Sequence, residues 1–264
     1  MDLQLTGKTA LITGSSGGIG QATAIGLARE GATVVLNGRD AGRLERAAQQ
    51  VVAEVPAADV QVAVGDVATG DGAAAVLAAE PDVDILVNNA GTYGPALFAD
   101  ITDAEWSRYF ETNVLSGVRL SRHYLARMLD RGEGRIIFVS SDAALEVSAE
   151  MVHYSVTKTA VLTLARGLAE LTRGTNVTVN SVLPGPTATE GLGGVLDTVS
   201  GQAGISRQDL EAGFFTQARP SSLLQRFADP REVANLIVYL ASPLSAVTNG
   251  AAVRAEGGIL SAVV

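Results

Sequence analysis

The sequence predicts an α/β fold in which helices cover both faces of a doubly wound, seven-stranded parallel sheet. Two observations support this. Short runs of β-branched residues alternate with longer stretches rich in Ala, Leu, Glu and Arg, as in successive βαβ units. The short runs are apolar throughout, which is typical of strands covered by helices on both sides. We expect residues 1–264 to form a single domain.

Seven segments are predicted strands, and at least six are predicted helices. The predicted strands are Thr9–Thr13, Thr33–Leu36, Val60–Val64, Val83–Val87, Arg135–Val139, Val177–Leu183 and Ala251–Val253. The clearest predicted helices are Gly18–Glu30, Arg43–Val55, Asp103–Arg131, Val152–Arg173 and Pro230–Ala241. A glycine-rich insertion with short amphipathic pieces occupies residues 186–227. Because long insertions in compact domains are usually lids or binding loops, we expect a lid there.

Composition argues against several classes of protein. The 19 basic and 28 acidic residues give a formal net charge of −9, so we expect no nucleic-acid partner, which would need the opposite sign. The absence of cysteine and the presence of only two histidines argue against disulfides, thiolate nucleophiles and a metal site. No export signal or apolar run of membrane-spanning length is visible. We therefore expect a cytoplasmic protein without membrane contact.

The first predicted strand leads through a glycine-rich turn directly into a helix. The turn reads Thr13-Gly14-Ser15-Ser16-Gly17-Gly18-Ile19-Gly20. Glycines let the backbone approach a pyrophosphate, and the helix N-terminus favours an anion, so the turn predicts a dinucleotide site. The same residues also fit the nucleophile elbow of a serine hydrolase around Ser16. That triad needs a downstream histidine, however, and none follows His153.

Ser141, Tyr154 and Lys158 form a second candidate site. Tyr154 and Lys158 stand four residues apart at the start of a predicted helix, so their side chains share one face. A tyrosine hydroxyl has a pKa of about 10, which suits acid–base work at neutral pH poorly, and a nearby ammonium lowers that pKa. Ser141 ends the fifth predicted strand, the edge at which parallel sheets bind ligands.

These motifs occur together and in a set order. After the glycine-rich turn come Asn88-Asn89-Ala90-Gly91, Asn113, Ser141, Tyr154-x-x-x-Lys158 and Pro184-Gly185. From Gly7 to Gly258 the chain resembles the short-chain dehydrogenase/reductase family in its single-domain, Rossmann-type form, and is similar to 3-oxoacyl-carrier-protein reductase-like members. The resemblance implies an NAD(P)-dependent oxidoreductase acting on a small-molecule carbonyl or secondary alcohol. A cofactor-binding regulator without catalysis is the alternative.

The resemblance also implies roles for the matched residues. Tyr154 is the implied proton donor and acceptor, and Ser141 holds the substrate oxygen. Lys158 is implied to lower the pKa of Tyr154 and to bind the nicotinamide ribose, with Asn113 holding a water beside it. The expected cofactor-binding residues are Gly14, Ser16, Gly18, Ile19, Gly20, Arg39, Asp66, Val67, Asn89, Ala90, Gly91, Tyr154, Lys158, Pro184, Gly185, Thr187 and Thr189.

Residues after the second predicted strand favour NADP over NAD. Gly38 stands where NAD-preferring family members typically carry an aspartate that binds the ribose hydroxyls. Arg39 follows and suits pairing with a 2′-phosphate. We therefore expect NADP. NAD remains the alternative, because Asp40 lies close by and the glycine-rich turn offers no second basic residue.

The expected substrate pocket and assembly rest on fewer signals. The expected pocket residues, besides Leu192–Phe215 of the lid, are Tyr93, Asp142, Ala143, Glu146, Val147 and Pro186, with His153 as packing or rim. Four arginines near helix ends either offset helix dipoles or dock an acidic carrier protein; they are Arg127, Arg131, Arg135 and Arg173. The Asp103–Arg131 and Val152–Arg173 helices are apolar over a wide arc. We therefore expect a homotetramer, with a dimer as the alternative.

Overall fold

The computed structural model describes residues 1–263, apart from the side chains of residues 195, 198, 199, 202 and 203. Within this part of the chain, seven parallel strands form one sheet. The strands are β1 Thr9–Ile12, β2 Thr33–Gly38, β3 Val60–Val64, β4 Ile85–Asn88, β5 Glu133–Val139, β6 Asn176–Pro184 and β7 Ala252–Ala255. Their order is β3-β2-β1-β4-β5-β6-β7. The doubly wound arrangement is therefore confirmed.

Helices cover both faces of this sheet. They are α1 Gly18–Arg29, α2 Ala41–Glu54, α3 Gly70–Ala79, α4 Asp103–Phe110, α5 Ser116–Arg131, α6 Val152–Glu170, α7 Glu190–Ala203, α8 Arg207–Gly213 and α9 Pro230–Ala241. On one face α1, α2 and α9 pack with Ile12 and Ile137, and on the other α3, α5 and α6 pack with Leu11 and Phe138. Side chains alternate along a strand, so two covered faces require strands that are apolar throughout. None of the helices in the described residues is long and apolar enough to cross a membrane.

The helix expected over Asp103–Arg131 is interrupted. After α4, the chain makes a π-helical turn at Glu111–Leu115 before α5 begins. Such turns add a residue to a helix and are frequent at functional sites. This one carries Asn113, whose side chain is buried. The irregular segment therefore coincides with a residue that the sequence had singled out.

The insertion at residues 186–227, which we call the lid, is partly helical, and its helices overlap the short amphipathic pieces of the sequence. It contains α7, α8 and a second π-helical turn at Phe214–Ala218. Thr189 caps the start of α7, and Gly204 ends it in the left-handed conformation, so the glycines do not prevent a helix. At its neck, Ala188 N–H donates to the carbonyl of Ala228, whose N–H donates to that of Pro186. Further along, the N–H groups of Leu223 and Leu224 donate to the carbonyl of Gly257, so the lid joins the sheet domain at more than one place.

Candidate active site

The carboxyl ends of the strands and the lid enclose a cleft of about 670 Å³. β1 and β4 are neighbours although the chain winds in opposite directions from them, and sheets of this kind bind ligands at that point. The expected site residues that line the cleft are Gly14, Ser16, Gly18, Ile19, Asn89, Gly91, Ser141, Tyr154, Lys158, Pro184, Gly185, Thr187 and Thr189. Most of the residues that the sequence singled out therefore share one surface.

The glycine-rich turn is shaped by two close approaches of the backbone. Gly14 has a φ of +62°, and a Cβ added there would lie 2.9 Å from Cα of Ala90. A Cβ added at Gly20 would lie 2.6 Å from Nδ2 of Asn89. Larger residues are excluded at both positions. Among the described residues no side chain caps the start of α1, so its first N–H groups are available to an anion.

Asn89 ties the glycine-rich turn to the end of β4. Its side-chain Nδ2 donates to the carbonyl oxygens of Thr13 at 2.8 Å and of Gly14 at 3.1 Å. The Thr13 hydroxyl oxygen accepts from the backbone N–H groups of Asn89 and Ala90, each at 2.9 Å. Asn89 and Ala90 thus hold the turn in place through strands that are neighbours in the sheet.

The end of β5 and the start of α6 bring Ser141, Tyr154 and Lys158 together. Ser141 is buried, and its hydroxyl donates to Oδ1 of Asp142 at 2.9 Å. The Lys158 Nζ lies 5.6 Å from the centre of the Tyr154 ring and donates to the carbonyl of Val139 at 2.9 Å. The neighbouring Ser140 differs, since its hydroxyl donates to the backbone carbonyl of Lys158. That contact gives Ser140 a structural role.

Burial controls the pKa values of the two titratable groups. Lys158 is 4% exposed, and removal from water lowers the pKa of its ammonium to about 8. Burial also raises the pKa of the Tyr154 hydroxyl and outweighs a hydrogen bond with Ser141, which lowers it. In the protein alone, burial therefore raises the pKa of Tyr154, although Lys158 was expected to lower it.

Asn113 lies beside Lys158, with Gly91 next to both. A Cβ added at Gly91 would lie 3.4 Å from Oδ1 of Asn113 and 3.4 Å from Nζ of Lys158. The Asn113 amide donates to the carbonyl of Thr92 and to the hydroxyl of Thr157, and its Oδ1 accepts from the N–H of Thr92 at 2.7 Å. The π-helical turn therefore fixes a buried amide next to the buried ammonium.

Two exposed arginines stand near the end of β2. Arg43, in the first turn of α2, lines the cleft, whereas Arg39 lies just outside its lining. Neither side chain pairs with a carboxylate of any residue that the structure describes. Asp40, in contrast, is occupied as the N-cap of α2, where its carboxylate accepts from Arg43 N–H. Sequence reasoning missed Arg43, although its position one helical turn after Arg39 could have indicated it.

Four further expected cofactor residues do not line the cleft, and these are Asp66, Val67, Ala90 and Gly20. The first two follow β3, which is an edge strand two positions away from β1. The Asp66 carboxylate accepts from the backbone of Ala68, and Val67 is buried. In this structure their contacts are thus with the chain itself.

The substrate side of the cleft agrees only in part with the expectation. Tyr93, Asp142, Ala143 and Pro186 line it as expected. Glu146 and Val147 do not, and the residues that the sequence did not indicate include Ser148, Glu150, Met151 and Arg219. His153 packs as expected, with its ring centre 4.1 Å from that of Tyr109, and burial lowers its pKa.

Comparisons with known proteins decide the family. Residues 8–199 match the family model described as short chain dehydrogenase. The chain belongs to this family. An uncharacterized oxidoreductase, YvaG, of Bacillus subtilis (strain 168) is 47% identical over 263 residues, which cover 100% of both chains. The 3-oxoacyl-[acyl-carrier-protein] reductase of Vibrio cholerae is 32% identical over 97% of this chain and 99% of that protein.

A solved structure agrees with the sequence relatives. L-sorbose reductase from Gluconobacter frateurii, complexed with NADPH and L-sorbose, superposes with a TM-score of 0.92 at 34% identity and covers 100% of both chains. The family resemblance inferred from the motifs is therefore confirmed. In this short chain dehydrogenase, the match to the family model ends within α7. The rest of the lid, including Arg219, lies outside that match.

Proposed function

We propose that the protein is an NADPH-dependent carbonyl reductase that also oxidises the corresponding secondary alcohol. The observation that carries this proposal is the meeting of Ser141, Tyr154 and Lys158 on the cleft that the glycine-rich turn enters. L-sorbose reductase, which was crystallised with NADPH and L-sorbose, supports the same class of reaction. NAD is the alternative cofactor.

The residues of the cleft fit a nicotinamide dinucleotide. The close approaches at Gly14 and Gly20 and the uncapped start of α1 provide room and N–H donors for a pyrophosphate. Arg39 and Arg43, which pair with no carboxylate of the described residues, suit a 2′-phosphate. Thr187, at the neck of the lid, would hold the nicotinamide end. When bound, this cofactor supplies the hydride in reduction and accepts it in oxidation.

Tyr154 is the proposed proton donor. Its raised pKa keeps the hydroxyl protonated at neutral pH, the form that carbonyl reduction requires. The Ser141 hydroxyl would donate to the same carbonyl oxygen, and because it has one proton, it would first turn away from Asp142. Loss of the Tyr154 proton leaves a phenolate, which the nearby ammonium of Lys158 would stabilise. Asn113, beside that ammonium, would hold the water that returns a proton.

The proposed substrate is a free small molecule. Of the arginines considered for docking a carrier protein, Arg135 is buried and donates to backbone carbonyls. Arg131 pairs with Asp82, and Arg173 pairs with Glu170. These contacts within the chain favour a structural role for the three arginines.

We also propose a homotetramer, with a dimer as the alternative. Val156 on α6 is 42% exposed and Leu171, just after the helix, is 60% exposed. This chain therefore leaves apolar surface on and beside α6 uncovered, as expected of a subunit interface. Light scattering at micromolar concentration tests the proposal. A monomer would contradict both assemblies.

The test of function is NADPH consumption with a panel of simple ketones, hydroxy ketones, sugars and acyl thioesters. We expect ketone-dependent loss of the absorbance of the reduced nicotinamide, faster with NADPH than with NADH. If NADPH binds but no compound in the panel is reduced, the cofactor-binding regulator is the correct interpretation instead.

A further inference from the structure

A pair of opposite charges lies on the substrate side of the cleft. Asp142 follows Ser141 directly at the end of β5, and Arg219 follows the π-helical turn of the lid. Both side chains line the cleft together with Tyr154. The pair therefore combines one group from the sheet domain with one from the lid, next to the residues proposed to act on the carbonyl.

The two carboxylate oxygens of Asp142 have different surroundings. Oδ1 accepts from the Ser141 hydroxyl and from Ala143 N–H, both at 2.9 Å. Oδ2 is buried and has no hydrogen-bond partner among the described residues. Water does not supply one readily either, since Asp142 is only 5% exposed. A buried polar atom without a hydrogen-bond partner carries a cost in stability. Such a cost beside a reaction site is explained if a ligand completes the hydrogen bonds.

Arg219 has a matching unsatisfied donor. Its Nε lies 3.7 Å from Asp142 Oδ2, which is too far for a hydrogen bond, and this Nε is also buried without a partner among the described residues. Its Nη1 is occupied by the carbonyl of Ala218 at 2.9 Å. A free acceptor and a free donor thus face each other across a gap.

A hydroxyl group would bridge the two atoms from one side once the lid shifts enough to admit it, since both atoms are buried as they stand. Placed about 2.8 Å from each atom, its oxygen accepts from Nε–H of Arg219 and its proton goes to Oδ2 of Asp142. A substrate carboxylate has no proton to donate and would meet the charge of Asp142. An ammonium group would meet the charge of Arg219. The chemistry of the pair therefore selects a neutral group that both donates and accepts.

We propose that Asp142 and Arg219 bind a substrate hydroxyl, and that the preferred substrates are ketones with a hydroxyl on the carbon next to the carbonyl, together with the matching diols. This rests on the proposed function, in which Ser141 holds the carbonyl oxygen. Ser141 Oγ lies 2.9 Å from Oδ1 of the same carboxylate whose Oδ2 faces Arg219. The bound hydroxyl would therefore lie close to the carbonyl oxygen, as it does when the two groups are on neighbouring carbons. Tyr93 and Glu150 line the same cleft and add polar groups for longer hydroxylated chains.

The kinetic test uses 1-hydroxybutan-2-one and pentan-3-one, which differ by a hydroxyl in place of a methyl group. The wild type should prefer the hydroxy ketone in kcat/KM. Asp142→Asn and Arg219→Gln should each lower this preference about tenfold or more, since each removes a hydrogen bond with a charged group. The matched control is the exposed lid pair of Asp197 and Arg207, 3.2 Å apart. Asp197→Asn and Arg207→Gln should leave the preference unchanged.

The outcomes separate this proposal from a structural role of the pair. Equal losses with both ketones would mean that Asp142 and Arg219 act only by positioning Ser141 or the lid, and would overturn the proposal. A wild type without preference for the hydroxy ketone would also overturn it.

A binding measurement separates the proposal from the reaction itself. Ligand-observed NMR of Tyr154→Phe with NADP should show binding of 1-hydroxybutan-2-one that Asp142→Asn removes, and weaker binding of pentan-3-one. Should the wild type reduce no ketone, the proposed reaction fails while this binding result still supports or refutes the hydroxyl site.

Discussion

The cleft has two walls that are built differently. On the sheet side, Ser141 and Asn89 follow strands whose apolar side chains belong to two large clusters, one on each face of the sheet. On the lid side, the described residues form a small cluster centred on Leu196, Phe215 and Phe227, joined to the rest by backbone hydrogen bonds at the neck and at Gly257. The wall proposed to move protons is therefore part of the main core. The lid can vary with less effect on the fold, and it supplies Arg219.

The largest expected effect is on the sheet wall. Tyr154→Phe keeps the aromatic ring, whose centre lies 6.3 Å from that of Tyr93, and removes only the hydroxyl. We expect turnover to fall about 10²–10⁴-fold, because general acid–base catalysis contributes that much, while NADPH affinity stays close to that of the wild type. Steady-state kinetics and fluorescence titration measure the two effects. Tyr239→Phe on the exposed side of α9 is the matched control and should leave turnover unchanged. If Tyr154→Phe turns over substrate as fast as the wild type, Tyr154 is not the proton donor.

The two walls can be compared directly through two equally buried phenylalanines. Phe138 in β5 and Phe215 in the lid are each 2% exposed. Phe138→Ala should lower the free energy of unfolding of the whole chain by about 3–5 kcal/mol, the usual cost in a core. Phe215→Ala should change that free energy less, but raise the substrate KM and speed proteolysis within the lid, because local units open independently. Urea unfolding measures the free energy, steady-state kinetics measures KM, and limited proteolysis measures opening of the lid. Equal losses of global stability in the two variants would show that the lid unfolds with the sheet.

Burial on the sheet wall also predicts a pH dependence of stability. The pKa of Lys158 is lowered from 10.5 to about 8 in the folded chain, so between these values the unfolded chain binds more protons. Stability therefore rises as pH increases through this window. Lys158→Met removes the buried ammonium, so the free energy of unfolding of the variant should exceed that of the wild type by on the order of 3 kcal/mol near pH 7. This difference should shrink toward pH 10.5. Urea unfolding at several pH values checks this, and a difference independent of pH would contradict it.

The sheet wall could be predicted from local sequence signals. Apolar runs mark the strands, the glycines mark the turn at Gly14, and the four-residue spacing places Tyr154 and Lys158 on one helix face. Each signal depends on residues that are close in the chain. These local signals suffice for the sheet wall, because a parallel sheet places all its strand ends along one edge and so brings the segments together.

The rest depends on contacts between distant segments. The π-helical turn at Asn113 has no local signal, since its residues fit an ordinary helix. The raised pKa of Tyr154 comes from burial among distant segments, including those that carry Tyr93, Tyr109 and Asp142. Arg219 reaches Asp142 only because the lid folds back over the end of β5. Such contacts cannot be inferred from spacing within one segment.

The smallest expected effect concerns the cofactor end of the sheet wall, where the charges are exposed. Arg39→Ala and Arg43→Ala should each weaken NADPH binding about ten- to a hundredfold and scarcely change NADH binding, because one charge-assisted hydrogen bond contributes about 1.5–3 kcal/mol. Gly38→Asp should shift the preference further toward NADH, since its carboxylate repels a 2′-phosphate and accepts from free ribose hydroxyls.

Arg46→Ala is the matched control, because Arg46 belongs to the same helix as Arg43 but does not line the cleft. Calorimetric titration with both cofactors decides the assignment. If both arginine variants weaken NADPH and NADH equally, these side chains contact a part common to the two cofactors, and NAD becomes the better assignment. If only Arg43→Ala weakens NADPH more than NADH, then the side chain that binds the 2′-phosphate lies in the first turn of α2. Arg39, which is outside the cleft lining, then remains in solvent.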